Sequence, residues 1–321
     1  MVYVASASRK VAIFGGTGHL GSHITNAFLS PPSGISFALV RLCARGSSPE
    51  VDKYKSQGAE IALVDFSKPE TVTEALKDID VVVNAIGSKG AGHESKKVLA
   101  KCVAEIGTVK LDFPSEFGID HRVKDFDHAE WDAKMRAQEA LRQATAPHGT
   151  KICAVYTSLF LEDSFGPWFG LATKKGQWDV IHNPDARVSF TSLQDVGFAL
   201  TSLSALPYNQ IPEHVRIGGD TVTVREAARI FESFNPGHDI NISTIPLEPY
   251  KSQLTKGGEG NNEPSGFLRF LMGEGKLDLS DENVRDGGSQ NEVVNPGGKL
   301  WKWRSVNEYA QNVKGKPWWD V

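Results

Sequence analysis

Cysteine is scarce in this 321-residue chain. Its three copies, Cys43, Cys102 and Cys153, are odd in number, far apart and without CxxC or His-rich company, which excludes a disulfide framework and a zinc site. What remains is reduced thiols in a cytosolic protein with no bound metal. Charge of one sign is lacking too. Lys and Arg total 35 against 39 Asp and Glu, interspersed to a net charge of -4, so no basic stripe awaits a phosphate backbone and nucleic acid is excluded as a direct ligand. Long apolar runs are missing as well. "MVYVASASRKVAIF" holds no signal-peptide core, and no stretch approaches the ~20 apolar residues that span a bilayer. The expectation is a soluble, cytoplasmic protein with no membrane partner. There is no repeat at a solenoid period and no heptad run.

What the chain does have is a succession of apolar, β-branched runs. "KVAIF", "SFALVR", "EIALV", "DVVVNAIG", "TVKLDF" and "KICAVY" are six candidate buried strands, with helical patterns between them such as His19 to Leu29 and His93 to Ile106. Their hydrophobicity is continuous, not alternating, which suits strands covered on both faces. The fold class that follows is α/β, a Rossmann-type doubly wound parallel sheet. After about residue 157 the pattern loosens into "RVSF", a helix near Gln194 to Leu206, "HVRIGG", and a helix opened by Thr223 and Glu226 at capping-box spacing. Residues 1–157 are therefore expected to form the nucleotide-binding domain. Residues 158–321 are expected to form mainly a smaller C-terminal substrate-binding lobe, with some elements returning to the sheet. From Pro249 to Pro296 the sequence is polar and rich in Gly and Asn, as in "KGGEGNNEPSG", which reads as a solvated loop or a lid.

The strongest local signal is "VAIFGGTGHLGSHI", where Gly15, Gly18 and Gly21 keep GxxGxxG spacing between the first strand and the first helix. Glycine lets the backbone approach a pyrophosphate, and the helix N-terminus aims amides and a positive dipole end at it. The cofactor-binding residues expected here are Gly15, Thr17, Gly18, His19, Leu20 and Gly21. Cofactor choice should be set at the end of the second strand, where an NAD binder places a carboxylate against the ribose 2'-hydroxyl. Here that strand is expected to end at Arg41, with Arg45 close enough to assist. A guanidinium forms a forked pair with a 2'-phosphate that a carboxylate would repel, so NADP(H) is favoured. The plainer alternative is that Arg41 snorkels at the sheet edge. Ligands of such sheets lie at the carboxyl ends of the strands. Asp65 and Phe66 end the third strand near the expected adenine position, and Ala85, Ile86, Gly87 and Ser88 follow the fourth, with Lys89 either solvated or bound beyond them.

"GTVKLDFPSEFG", residues 107–118, reads as a fifth strand running into a proline turn. Taken with the glycine motif and the arginine assigned to the second strand's end, "EIGTVKLDFPSEFG" makes the chain resemble the isoflavone reductase and pinoresinol-lariciresinol reductase-like group of the NmrA-like atypical short-chain dehydrogenases. The likeness is closest over roughly residues 10–160, with echoes in "VSFTSLQDVG". It implies that the segment from Phe113 through Pro114 and Ser115 to Gly118 lies beside the nicotinamide, and that the next helix bears a functional lysine. The matching residue is Lys134, in "HAEWDAKMRAQEALRQ". An NADPH-dependent reductase of small aromatic or secondary metabolites is implied. The same group includes NADP-sensing regulators without turnover, and the fold also admits isomerisation or cyclisation without net hydride transfer.

Read from the residues alone, Lys134 stands four positions after Glu130, an i,i+4 pair common on exposed helices. As a functional group it would hold a substrate oxygen or the nicotinamide ribose. An ordinary short-chain dehydrogenase places tyrosine where this chain has Glu130, so the proton source stays open, with Ser115, Glu116, His121 and His128 in reserve. No GxSxG context supports serine hydrolase chemistry. The substrate pocket is expected to draw on Glu116, Phe117, Ser158, Phe160, Phe165 and Trp168, although aromatics at this spacing serve equally as core. The expected partner is a small aromatic or polyketide-like molecule. A homodimer is left open.

Overall fold

The apolar runs pair in parallel. In the computed structural model, which describes residues 8–87, 90–256, 264–280 and 288–320, β1 (Lys10–Phe14), β2 (Leu39–Ala44), β3 (Glu60–Leu63), β4 (Val81–Asn84), β5 (Leu111–Phe113) and β6 (Lys151–Ile152) form one sheet in the order β3-β2-β1-β4-β5-β6. The order reverses between β1 and β4, which opens a crevice at their carboxyl ends. The covering helices are α1 (His19–Leu29), α2 (Pro49–Ser56), α3 (Pro69–Ala75), α4 (Gly92–Ile106), α5 (Ala129–Thr145) and α6 (Leu193–Ala205).

Both faces of the central strands β1, β4 and β5 are buried, which is why they show no alternation, while the edge strand β3 is partly exposed. Val11, Ile13, Val83 and Phe113 pack with Ile24 and Phe28 of α1 and with Val196 and Leu200 of α6. Ala12, Phe14 and Val82 pack on the other face with Val72 of α3 and with Leu99, Cys102 and Val103 of α4. All three cysteines are buried free thiols, and burial pushes the Cys43 and Cys153 thiols up.

Past β6 the chain continues into β7 (Ala154–Tyr156) and then β8 (Leu159–Phe160), β9 (Leu171–Ala172), β10 (Gln177–Ile181), β11 (Arg187–Thr191), β12 (His214–Arg216), β13 (Asp220–Thr223) and β14 (Asn241–Ile245). They form the small sheets β14-β10-β9 and β13-β11-β8, while β12 pairs in parallel with β7. A separate core gathers Phe165, Trp178, Phe190, Phe231 and Phe270. Helix α7 (Val224–Ser233) starts with both hydrogen bonds of the capping box between Thr223 and Glu226. Much of the polar segment after Pro249 is structured, since α8 (Leu247–Thr255) and α9 (Pro264–Gly273) lie in it. Residues 257–263 of "KGGEGNNEPSG" fall outside the described residues.

Buried and half-buried ion pairs brace the segment between β5 and α5 against the later part of the chain. Arg216 donates to Asp120 at 2.6 Å with both side chains buried, and Lys251 and Lys276 reach Asp125 and Glu274. Among the described residues no helix is long and apolar enough to cross a membrane.

Candidate active site

The loop after β1 is shaped by what it cannot hold. Gly15 has φ +79°, and a Cβ there would stand 2.6 Å from the Ala85 carbonyl. At Gly21 a Cβ would come 2.0 Å from the Gly15 carbonyl oxygen. Gly18 caps α1 without a side chain, so the first-turn amides of the helix are left for something else to satisfy. Thr17 is exposed and Leu20 half-buried against the core. His19 is exposed, and its Nε2 lies 2.9 Å from Asp163 of the later lobe.

The second strand corrects the sequence reading. β2 runs on to Ala44, so Arg41 lies within it, opposite Ala12 of β1, not at its carboxyl end. Its guanidinium donates to Glu60 at 2.5 Å and to the carbonyls of Ala75 and Lys77, closing the C-terminal end of α3. Arg45 is the residue that follows the strand. It is exposed and makes no ion pair among the described residues. Asp65 binds Ser67 and is held below the usual carboxylate range by those hydrogen bonds, while the Phe66 ring lies 6.4 Å from that of Phe14. Ala85, Ile86 and Gly87 follow β4 at the crevice, where Ala85 donates its N–H to Phe14. Ser88 and Lys89 lie outside the described residues.

The turn after β5 draws several groups together. Phe113 and Pro114 are buried, and the Ser115 hydroxyl donates to the Ile86 carbonyl at 2.9 Å, joining the ends of β5 and β4. The Glu116 N–H donates to the Pro114 carbonyl at 2.7 Å, a tight turn that sends the Glu116 side chain inward. Its carboxylate lies 3.6 Å from Lys134 Nζ and 3.7 Å from His121 Nδ1. Burial opposes ionisation of Glu116, but the His121 hydrogen bond and the Lys134 charge outweigh it and hold the carboxyl below its usual range. Burial chiefly keeps His121 below its ordinary value. Lys134 therefore pairs with Glu116 and not with Glu130, which faces His93 at 4.0 Å. His128 caps α5 at Trp131 N–H and stacks on the Trp131 ring.

Between α4 and α5 lies a cleft of about 510 Å³. Asn84, Pro114, Ser115, Glu116 and Lys134 line one part of it, and alanines such as Ala100, Ala104 and Ala137 make its apolar walls. Lys96 and His93 of α4 also line it, and the sequence reading missed both. Their signal was the three-residue spacing that puts them on one face of α4, which carries meaning only once α5 is opposite. Burial, then the Lys134 charge, pull the Lys96 ammonium down to about 8. A smaller polar pocket adjoins across Glu116 and Gln138. There the Tyr156 hydroxyl lies 3.2 Å from His214 Nδ1, and burial pushes that phenol up to about 12.

The other expected pocket residues are dispersed. Phe165 is 1% exposed and packed among Trp178, Phe190, Phe231 and Tyr309, so it belongs to the second core. Trp168 is exposed against Trp318, and Trp318 donates to the Glu162 carbonyl, pinning the C-terminal segment. Ser158 is buried at φ +53° and donates to the Leu277 carbonyl, while Phe117 and Phe160 pack at the margin of the first core.

Residues 7–267 match the NmrA-like family. The chain is 26% identical over 232 residues to phenylcoumaran benzylic ether reductase PT1 of Pinus taeda, covering 70% of this chain and 74% of that one. It is 31% identical over 170 residues to isoflavone reductase homolog A622 of Nicotiana tabacum, covering 49% of this chain and 52% of that one. The match thus spans about half the length of the tobacco protein. A solved structure described as "AtPrR2 with NADP+ and (+)pinoresinol" superposes with a TM-score of 0.74 at 20% identity, covering 95% of this chain and 98% of that one. At that identity the likeness establishes a common fold.

Proposed function

The chain belongs to the NmrA-like family, and from that premise we propose that it is an NADPH-dependent reductase acting on a small aromatic or polyketide-like molecule. The observation that carries the reading is the Lys134–Glu116 pair beside the ends of β4 and β5, next to a glycine loop with uncapped helix amides. Sequence relatives named as reductases support it.

The residues present fit the cofactor. Gly15 and Gly21 keep open a cradle that a Cβ would fill, the α1 amides suit its pyrophosphate, and Arg45 stands exposed just past β2 for the 2'-phosphate. In this reading Arg45 takes the part that the sequence reading gave to Arg41. Pro114 and Ser115 border the nicotinamide position, with Phe113 behind them. When bound, NADPH supplies hydride to a conjugated, carbonyl, imine or quinone-methide-like carbon.

Lys134 then holds the oxygen on which negative charge develops, a fixed ammonium being worth most where water is excluded. Glu116 keeps that ammonium in place, and His121 braces Glu116 from the other side. The alanine-walled cleft receives the apolar body of the substrate. Residues 1–157 serve the nucleotide and also line this cleft, while from residues 158–321 helix α6 returns to cover the sheet.

An NADPH-consumption assay over enones, imines and benzylic ethers, with products identified by mass and stereochemistry, tests this. NADPH binding without consumption by any panel member, together with recovery of a transcription factor in a pull-down, overturns it.

A further inference from the structure

We propose that Lys96 is the proton-donating amine of this site, so that two lysines divide the work: Lys134 holds the substrate oxygen and Lys96 protonates it. The proposal rests on the reductase reading above.

Helix α4 presents Lys96 to the cleft that Pro114, Ser115, Glu116 and Lys134 line from the other side. The charged and titratable groups that face it are Glu130 and Lys134 from α5, Glu116 from the turn after β5, and His93 and Lys97 from its own helix. The two amines differ in their surroundings. Lys134 lies 3.6 Å from the Glu116 carboxylate, whose carboxyl is held below its usual range. Lys96 is more influenced by burial and by the like charge of Lys134, which outweigh Glu116 and Glu130 and bring it to about 8. An amine poised near neutral pH gives up a proton readily, whereas a carboxylate-paired ammonium serves better as a standing charge.

In the step itself, the substrate carbon accepts hydride from NADPH and the electron pair of its C=O or C–O bond moves onto oxygen. That oxygen takes a proton from the Lys96 ammonium: an N–H bond breaks, an O–H bond forms, and NADP+ remains. Solvent reprotonates the neutral amine, so each turnover consumes one NADPH and one proton.

Two measurements test the assignment. On the protein without cofactor, the pH dependence of trinitrobenzenesulfonate labelling is read lysine by lysine by peptide mass. Lys96 should reach half-reactivity near pH 8, about two units below exposed lysines, and Lys134→Ala should move it upward. In turnover, Lys96→Gln and Lys96→Arg should each lower kcat about 100-fold and remove the alkaline limb of the pH profile, with NADPH affinity within about twofold. Arginine keeps the charge but gives up no proton, so full activity in Lys96→Arg overturns the proposal. So does labelling of Lys96 like an exposed lysine. The labelling needs no substrate, and it therefore fails separately from the reductase reading.

Discussion

The glycine loop after β1 and the lysine cluster between α4 and α5 are built in opposite ways. The loop is a contiguous run, Gly15 to Gly21, and its useful atoms are main-chain amides held by close backbone contacts. The cluster is made of side chains that meet from separate elements: Lys96 from α4, Glu116 and His121 from the segment after β5, Lys134 from α5. A backbone site tolerates almost no change of residue and offers little to tune. A side-chain site can be adjusted one group at a time, and its charges set one another.

Substitutions sharpen that contrast. The largest effect should come from Gly21→Val, whose Cβ meets the Gly15 carbonyl. Collisions with main chain sit at the upper end of the ~1–3 kcal/mol usual for overpacking, so both Tm and NADPH binding should collapse together. Retained binding in a fluorescence titration would break the account of the loop. Next, Lys134→Ala should cut turnover about 10²- to 10³-fold while the fold and NADPH affinity persist, which is how a side-chain site ought to fail; undiminished turnover would remove Lys134 from the chemistry. Arg45→Ala should weaken NADPH about ten- to hundredfold without touching NADH, the loss of one charged hydrogen bond. Arg41→Ala should lower Tm and leave the NADPH to NADH ratio alone, and the reverse pattern would restore the first assignment.

The smallest effect concerns Asp112, buried in β5 on the sheet face that carries α4, where burial pushes its carboxyl up to about 7. The folded protein then binds a proton that the unfolded chain has already released between about pH 4 and 7. Its stabilising contribution is present in full below about pH 4 and fades as pH rises through 7, with a slope of at most ~1.4 kcal/mol per pH unit. Asp112→Asn should flatten that stretch of the urea-denaturation profile, and an unchanged slope would refute it.

The six strands and the glycine loop were legible in the sequence because their signals are local: apolar runs and glycine spacing follow from neighbours along the chain. Arg41 misled because "SFALVRLCARG" contains two arginines and no local mark of where pairing stops. Only the register with β1 and the carbonyls at the end of α3 decide it. Phe165 could be read equally as core or cleft until Trp178, Phe190 and Phe231 surrounded it. Lys134 gains its partner from a turn eighteen residues earlier and not from the helix neighbour its spacing suggested. Lys96 carries only its spacing with His93, and what makes it distinctive is burial in the cleft and, after that, the charge of Lys134 on another helix.

Compare the obstacles at three glycines. A Cβ at Gly15 or Gly21 strikes a carbonyl group of Ala85 or Gly15, which every amino acid would supply in the same place. At Gly166 it strikes the indole of Trp168 at 2.4 Å, a group that a second mutation can trim away. In a selection for regained function, lesions at Gly166 should yield suppressors at codon 168, whereas lesions at Gly21 should yield true revertants alone. Genetic repair, in this molecule, is open to clashes between side chains and closed to clashes with the main chain.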